Sequence, residues 1–81
     1  MSRDVVNRGC RTLGDVPPAG KVRIVSMDAV ESEKIRLISM GLRNGVEIEM
    51  KNNGGKGPVV VALGNSRLAL GRSLARKIWV A

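Results

Sequence analysis

The feature that most constrains this chain is the shortness of its apolar runs and the regularity with which glycine or proline interrupts them. Lys21–Met27, KVRIVSM, is rich in Val and Ile, which favour a pleated, half-buried surface. In VEIEMK, residues 46–51, Val46, Ile48 and Met50 point one way and Glu47, Glu49 and Lys51 the other, the period-two pattern of a strand with one wet face. PVVVAL begins at Pro58, which suits the first position of a strand because it has no N–H to donate. Gly64-Asn65 separates it from SRLAL by the length of a tight hairpin turn. Gly71 ends that strand, Ser73–Arg76 has room for one helical turn, and KIWV supplies a last strand in which Ile78 and Val80 alternate with Lys77 and Trp79. Strands this short and this close together have unpaired edges, a problem that closure into a small barrel solves. The expected fold is therefore mostly β: a small SH3-like barrel of about five strands, with one α-helix inserted after the first strand and a short helical turn before the last.

The inserted helix has its own signals. Asp28 is placed to accept a bond from a free backbone N–H, and Glu31 follows at capping-box spacing. At 100° per residue, Ser32, Arg36 and Ser39 share a polar sector, while Val30, Ile35, Leu37, Ile38 and Met40 spread around the rest, a width that predicts burial on more than one side. Gly41 stands where a left-handed helix cap is wanted, Leu42 can fold back on the last apolar turn, and Gly45 permits the turn into the next strand. Residues 1–11 lack a sustained apolar period and read as a flexible tail, leaving 12–81 as a single domain that opens with the stiff turn Asp15–Gly20. Asn52–Gly57, NNGGKG, reads as a flexible loop.

Composition narrows the function. With 43% hydrophobic residues an 81-residue chain can fold, around a thin core. Its longest apolar run, Val59–Leu63, is far short of the roughly 20 residues that span a bilayer. The charged N-terminal stretch has no apolar signal-peptide centre, which predicts a cytoplasmic location. No His and no Tyr are present, the lone Cys10 cannot form an internal disulfide, and no nucleophile stands beside a base; neither a catalytic nor a metal site is expected. Gly54-Gly55-Lys56-Gly57 lacks the frame of a phosphate-binding loop and leads into a strand. The net charge of +7 favours polyanions or an acidic partner face. Arg67, Arg72, Arg76 and Lys77 make the C-terminal third basic, but a single aromatic residue is poor provision for base stacking, so an acidic protein or lipid headgroups fit better than nucleic acid. Met40 and Leu42 read either as core or as the wall of a groove, and Trp79 either as cover for the barrel or as an interface anchor.

IRLISMGLRNGVEIEM, residues 35–50, resembles a stretch of the ferrous iron transport protein A (FeoA) family, with its Arg-Leu, its Met-Gly-Leu and a later glycine before a Val-rich strand. GPVVVALGNSRLALGRSLARKIWV and LGDVPPAGKVRIV extend the likeness over nearly everything from Leu13 to Ala81. The chain departs from the family pattern at Asn44, where proline is frequent, and at Ile35, where a second arginine is frequent. The resemblance implies an SH3-like barrel without enzymatic activity or cofactor. It would act by binding the cytoplasmic, GTP-binding part of a ferrous iron permease, and would influence transport without carrying iron. The contact surface is then read as the helix end, Arg36, Met40, Gly41, Leu42 and Arg43, with Arg72 and Trp79. Peripheral contact with the inner membrane surface and self-association remain compatible with this reading. The alternative is a nucleic-acid-binding or iron-repressor-associated barrel driven by the positive charge.

Overall fold

The computed structural model describes residues 11–81, so Cys10 and all of the expected tail except Arg11 lie outside the described residues. The order of elements is β1 (Arg11–Thr12), a 3-10 turn (Leu13–Asp15), β2 (Lys21–Met27), α1 (Glu31–Ser39), β3 (Glu47–Asn52), β4 (Val59–Leu63), β5 (Ser66–Leu70), α2 (Arg72–Ala75) and β6 (Ile78–Val80). The strands form one antiparallel sheet in the order β1-β6-β2-β3-β4-β5, which coils into the small SH3-like barrel that the short runs predict. The additional strand is β1, where Arg11 pairs with Val80 and Thr12 with Trp79. Two residues without apolar alternation leave nothing for periodicity to detect. The edges of the sheet are β1 and β5; both are short, and β5 carries the exposed Arg67, two features that discourage edge pairing.

The curvature comes from β2. Lys21–Arg23 pairs with β3, whereas Ile24–Met27 pairs with β6, so this one strand belongs to both halves of the barrel. The register slips between Ile24 and Ser26, leaving Val25 and Ser26 opposite Trp79. Such a bulge bends the strand and turns side chains that alternation would send inward; Val22 and Ile24 are buried, while Val25 and Ser26 are both exposed. A second slip, between Met50 and Asn52, bends β3. The core is formed by the inward residues of these strands, Val22, Ile24, Ile48, Met50, Val59, Val61, Ile78 and Val80 among them, with Leu13, Val16, Leu37 and Leu42 closing it from the connections. No polar or charged residue is buried among the described residues.

Two expectations for α1 are corrected. The N-cap is Val30, with no side-chain capping bond, and the helix begins at Glu31. Asp28 is instead held away from the helix by its backbone N–H, which donates to the Lys77 carbonyl at 2.7 Å. The first turn is stabilised by Glu31 and Glu33, whose charges favour the positive end of the helix dipole. Burial is also narrower than the apolar spread suggests. Leu37 is the one fully buried residue of α1, flanked by the half-buried Glu33, Lys34 and Met40, whereas Val30, Ile35 and Ile38 are 61%, 59% and 47% exposed. The helix therefore lies on the barrel along a single stripe, and its remaining apolar residues face outward.

Candidate functional site

The end of α1 is built by its backbone. Gly41 has φ +96°, its N–H donates to the Ile38 carbonyl at 2.9 Å, and the Leu42 N–H reaches back to the Leu37 carbonyl at 2.9 Å. These are the paired bonds of a Schellman motif, which normally brings the residue after the glycine against the last helical turn. Leu42 and Leu37 are accordingly both fully buried in the core. The Val46 N–H then donates to the Arg43 carbonyl at 3.1 Å, closing a turn. β2 anchors that turn in three places: the Gly45 N–H donates to the Ile24 carbonyl at 2.7 Å, the Ile24 N–H to the Val46 carbonyl at 2.9 Å, and Arg23 Nη1 to the Gly45 carbonyl at 2.7 Å.

Between α1, the end of β2 and this turn lies an open cleft of about 440 Å³, lined by Ser26, Met27, Lys34, Ile38, Arg43 and Asn44. Met27 and Ile38 give it apolar area, Lys34 and Arg43 give it positive charge, and no carboxylate lines it. Among the described residues the ion pairs are Lys51–Glu49 at 3.5 Å and Lys77–Glu33 at 3.7 Å, so the two cleft cations are unpaired there. Trp79 is the register partner of Ser26 and is 39% exposed; Val25, in the bulge beside it, is 40% exposed. Trp79 and Val25 thus add exposed apolar area on β6 and β2 next to Ser26, a residue of the cleft. Such an arrangement suits binding: it offers apolar area, hydrogen-bond donors and positive charge.

The residues singled out from the sequence divide into three groups. Arg43 lines the cleft and Trp79 borders it. Met40 is half-buried against the core, Gly41 is the cap itself, and Leu42 is completely buried, so these three shape the helix end from beneath and Leu42 offers no surface to a partner. Arg36 and Arg72 stand apart. Two residues before Ile38, Arg36 is turned about 200° from it, onto the side of Ser32 and Ser39. Arg72 donates from Nε to the Gly57 carbonyl at 3.2 Å, securing the end of the glycine loop. Lys34, Ile38, Ser26, Met27 and Asn44 were not singled out. The i, i+4 spacing of Lys34 and Ile38 was a legible sign that they share a face; their meeting with Ser26 depends on the bulge.

Across β2, β3, β4 and β5, Glu49 stands beside Lys21 and Ala62 in the register, and Ala62 beside Arg67. This alternation of sign gives a solvated face without a charged patch. Among the described residues no three of His, Cys, Asp or Glu gather as a metal site, and no helix is long and apolar enough to cross a membrane.

The FeoA domain family model matches residues 11–81. An Fe(2+) transport protein A of Methanocaldococcus jannaschii is 37% identical over 60 residues, covering 74% of this chain and 72% of that protein. The crystal structure of an iron uptake regulatory protein, FeoA, superposes with a TM-score of 0.82 at 28% identity, over 88% of this chain and 95% of the other. FeoA of Stenotrophomonas maltophilia, crystallised with zinc and described as a prokaryotic SH3 domain protein, superposes with a TM-score of 0.74 at 27% identity, over 86% and 88% of the two chains.

Proposed function

The chain belongs to the FeoA family, and on that premise we propose that it is a non-enzymatic accessory protein of ferrous iron uptake that docks, through the cleft at its helix end, on the cytoplasmic GTP-binding part of a ferrous iron permease. The observation that carries this reading is the cleft: lined by apolar and cationic side chains and no carboxylate, with the exposed Trp79 paired to its Ser26. The S. maltophilia relative is described in terms of activating ferrous iron transport, which fits a protein that works by contact. In this role Arg43 and Trp79 touch the partner, while Met40, Gly41 and Leu42 hold the helix end in shape. Arg36 and Arg72 lie outside the contact. The protein acts at the cytoplasmic face of the membrane, where such a permease domain is found.

The test is binding of the purified protein to the soluble GTP-binding domain of its own organism's permease at physiological salt, with GTP hydrolysis followed in the same samples. Binding accompanied by a changed rate makes the protein a regulator of the nucleotide cycle; binding at constant rate makes it an assembly factor. Ile38→Asp, which places a negative charge on an apolar residue of the cleft, is expected to abolish binding. No binding to either the domain or the intact permease would overturn the reading.

A further inference from the structure

Taking the cleft as the docking site of the preceding section, we infer that the segment it receives is acidic and carries one aliphatic side chain between its carboxylates. Every polar group of the cleft is a cation or can donate a hydrogen bond: Lys34, Arg43, the Ser26 hydroxyl and the Asn44 amide. None of the lining residues is acidic, and the cations have no carboxylate of this chain within ion-pair distance among the described residues. The half-buried Met27 and the 47%-exposed Ile38 line the same cleft as those cations, so it offers apolar area for an aliphatic group beside its positive charge. Methionine adapts to the shape of what lies on it. A segment bearing only charge leaves these two apolar side chains wet, and a basic segment meets repulsion from both cations. The net charge of +7 steers acidic partners toward the protein in the same sense.

An anionic lipid surface has the same charge but fits less well. Glu31 is exposed and lies four and seven residues before Ile35 and Ile38, on their side of the helix. A planar anionic surface laid across that side meets Glu31 head-on, whereas a segment inside the cleft does not, because Glu31 is not among its lining residues.

The experiment uses three capped pentapeptides, Asp-Glu-Leu-Glu-Asp, Asp-Glu-Gly-Glu-Asp and Lys-Lys-Leu-Lys-Lys, titrated into the full chain while the methyl signals of Met27 and Ile38 and the emission of Trp79 are followed. The first is expected to shift both methyl signals saturably. Replacing its leucine with glycine should weaken binding about tenfold or more, the value of one buried aliphatic side chain. The lysine peptide should leave the methyls unmoved. The Lys34→Glu/Arg43→Glu double variant should bind the acidic peptide about tenfold more weakly, as expected when two exposed attractions become repulsions, and should accept the lysine peptide instead. Equal responses to both charges, or shifts that miss Ile38 and Met27, would overturn the inference. So would tighter capture by vesicles rich in phosphatidylglycerol that depends on Ile38, which would assign the face to a membrane. The permease domain separates this inference from the preceding one. If the double variant exchanges peptide preference yet binds the domain like the unmodified protein, docking occurs elsewhere and the cleft chemistry stands. If the domain binds at the cleft while the acidic peptide does not, docking stands and the chemistry falls.

Discussion

Replacing Gly41 with alanine measures the helix end directly. At φ +96° an alanine pays the left-handed penalty of about 1–2 kcal/mol, offset in part by the 0.4–1 kcal/mol or so that alanine gains by restricting the unfolded chain. The new Cβ would also stand 2.8 Å from Leu63 Cδ2. Leu63 is half-buried and packed on the core, so moving it aside costs on the order of 1–2 kcal/mol, within the range of other overpacked sites. The total is about 2–3 kcal/mol, against about 4–12 kcal/mol for a domain of this length. The variant should remain folded and lose about 2 M in urea midpoint, taking a slope of about 1 kcal/mol per molar. Gly45→Ala is the control: φ there is +91°, but nothing lies within 4 Å of the added Cβ, so the cost is about 1 kcal/mol from strain alone. Urea titrations read by far-UV circular dichroism and by Trp79, the sole aromatic residue, should separate the two variants. In a Leu63→Ala background the excess cost at Gly41 should vanish. Equal costs at both glycines in both backgrounds would remove Leu63 from the account, and a neutral or stabilising Gly41→Ala would refute the left-handed cap itself.

Three further outcomes follow from the same geometry. Ala19 has φ +73° at the third position of a turn closed by the Gly20 N–H donating to the Pro17 carbonyl at 3.1 Å, so Ala19→Gly should stabilise the protein by about 0.5–1 kcal/mol in thermal or urea unfolding, relieving more strain than it adds chain entropy. Ile38→Asp, at a position 47% exposed, should change stability by no more than about 0.5 kcal/mol, so that any loss of binding is not a loss of fold; a marked fall in urea midpoint would show that Ile38 belongs to the core. Asn53 Nδ2 donates to the Gly14 and Val16 carbonyls, both at 2.9 Å, and Asn53→Ala should cost about 1–3 kcal/mol, while the exposed neighbour Asn52→Ala should cost little; hydrogen exchange around Val16 would localise the loss.

Strand positions were legible because alternation is a local property. Val22 and Ile24, Ile48 and Met50, Val59 and Val61, and Ile78 and Val80 are buried in the pattern that their spacing predicts. The glycine cap was legible for the same reason: a left-handed residue after a helix and an apolar residue behind it leave a signature a few positions long. The capping box was not, since Asp28 has suitable spacing but its backbone is taken up by Lys77, forty-nine residues away in sequence. The helix was misjudged for a related reason. Periodicity reports which residues are apolar, and only the number of surfaces packed on a helix decides how many of them are covered. Here one stripe is covered, at Leu37, and Ile35 and Ile38 face outward.

The sequence by itself determined five of the six strands, the single inserted helix, the glycine joints and the positive charge. The strands, the helix and the joints depend on neighbours within a turn or a pleat, and the charge on composition alone. Family membership was legible too, in the order of those elements. Tertiary structure alone decided the site. The bulge at Val25 turns Ser26 outward beside Trp79, the pairing of β2 with both β3 and β6 positions the end of that strand, and the turn after the Schellman cap brings Arg43 and Asn44 to the same cleft as Lys34 and Ile38. The cleft joins residues from three separate parts of the chain, and no local pattern encodes a distance between them.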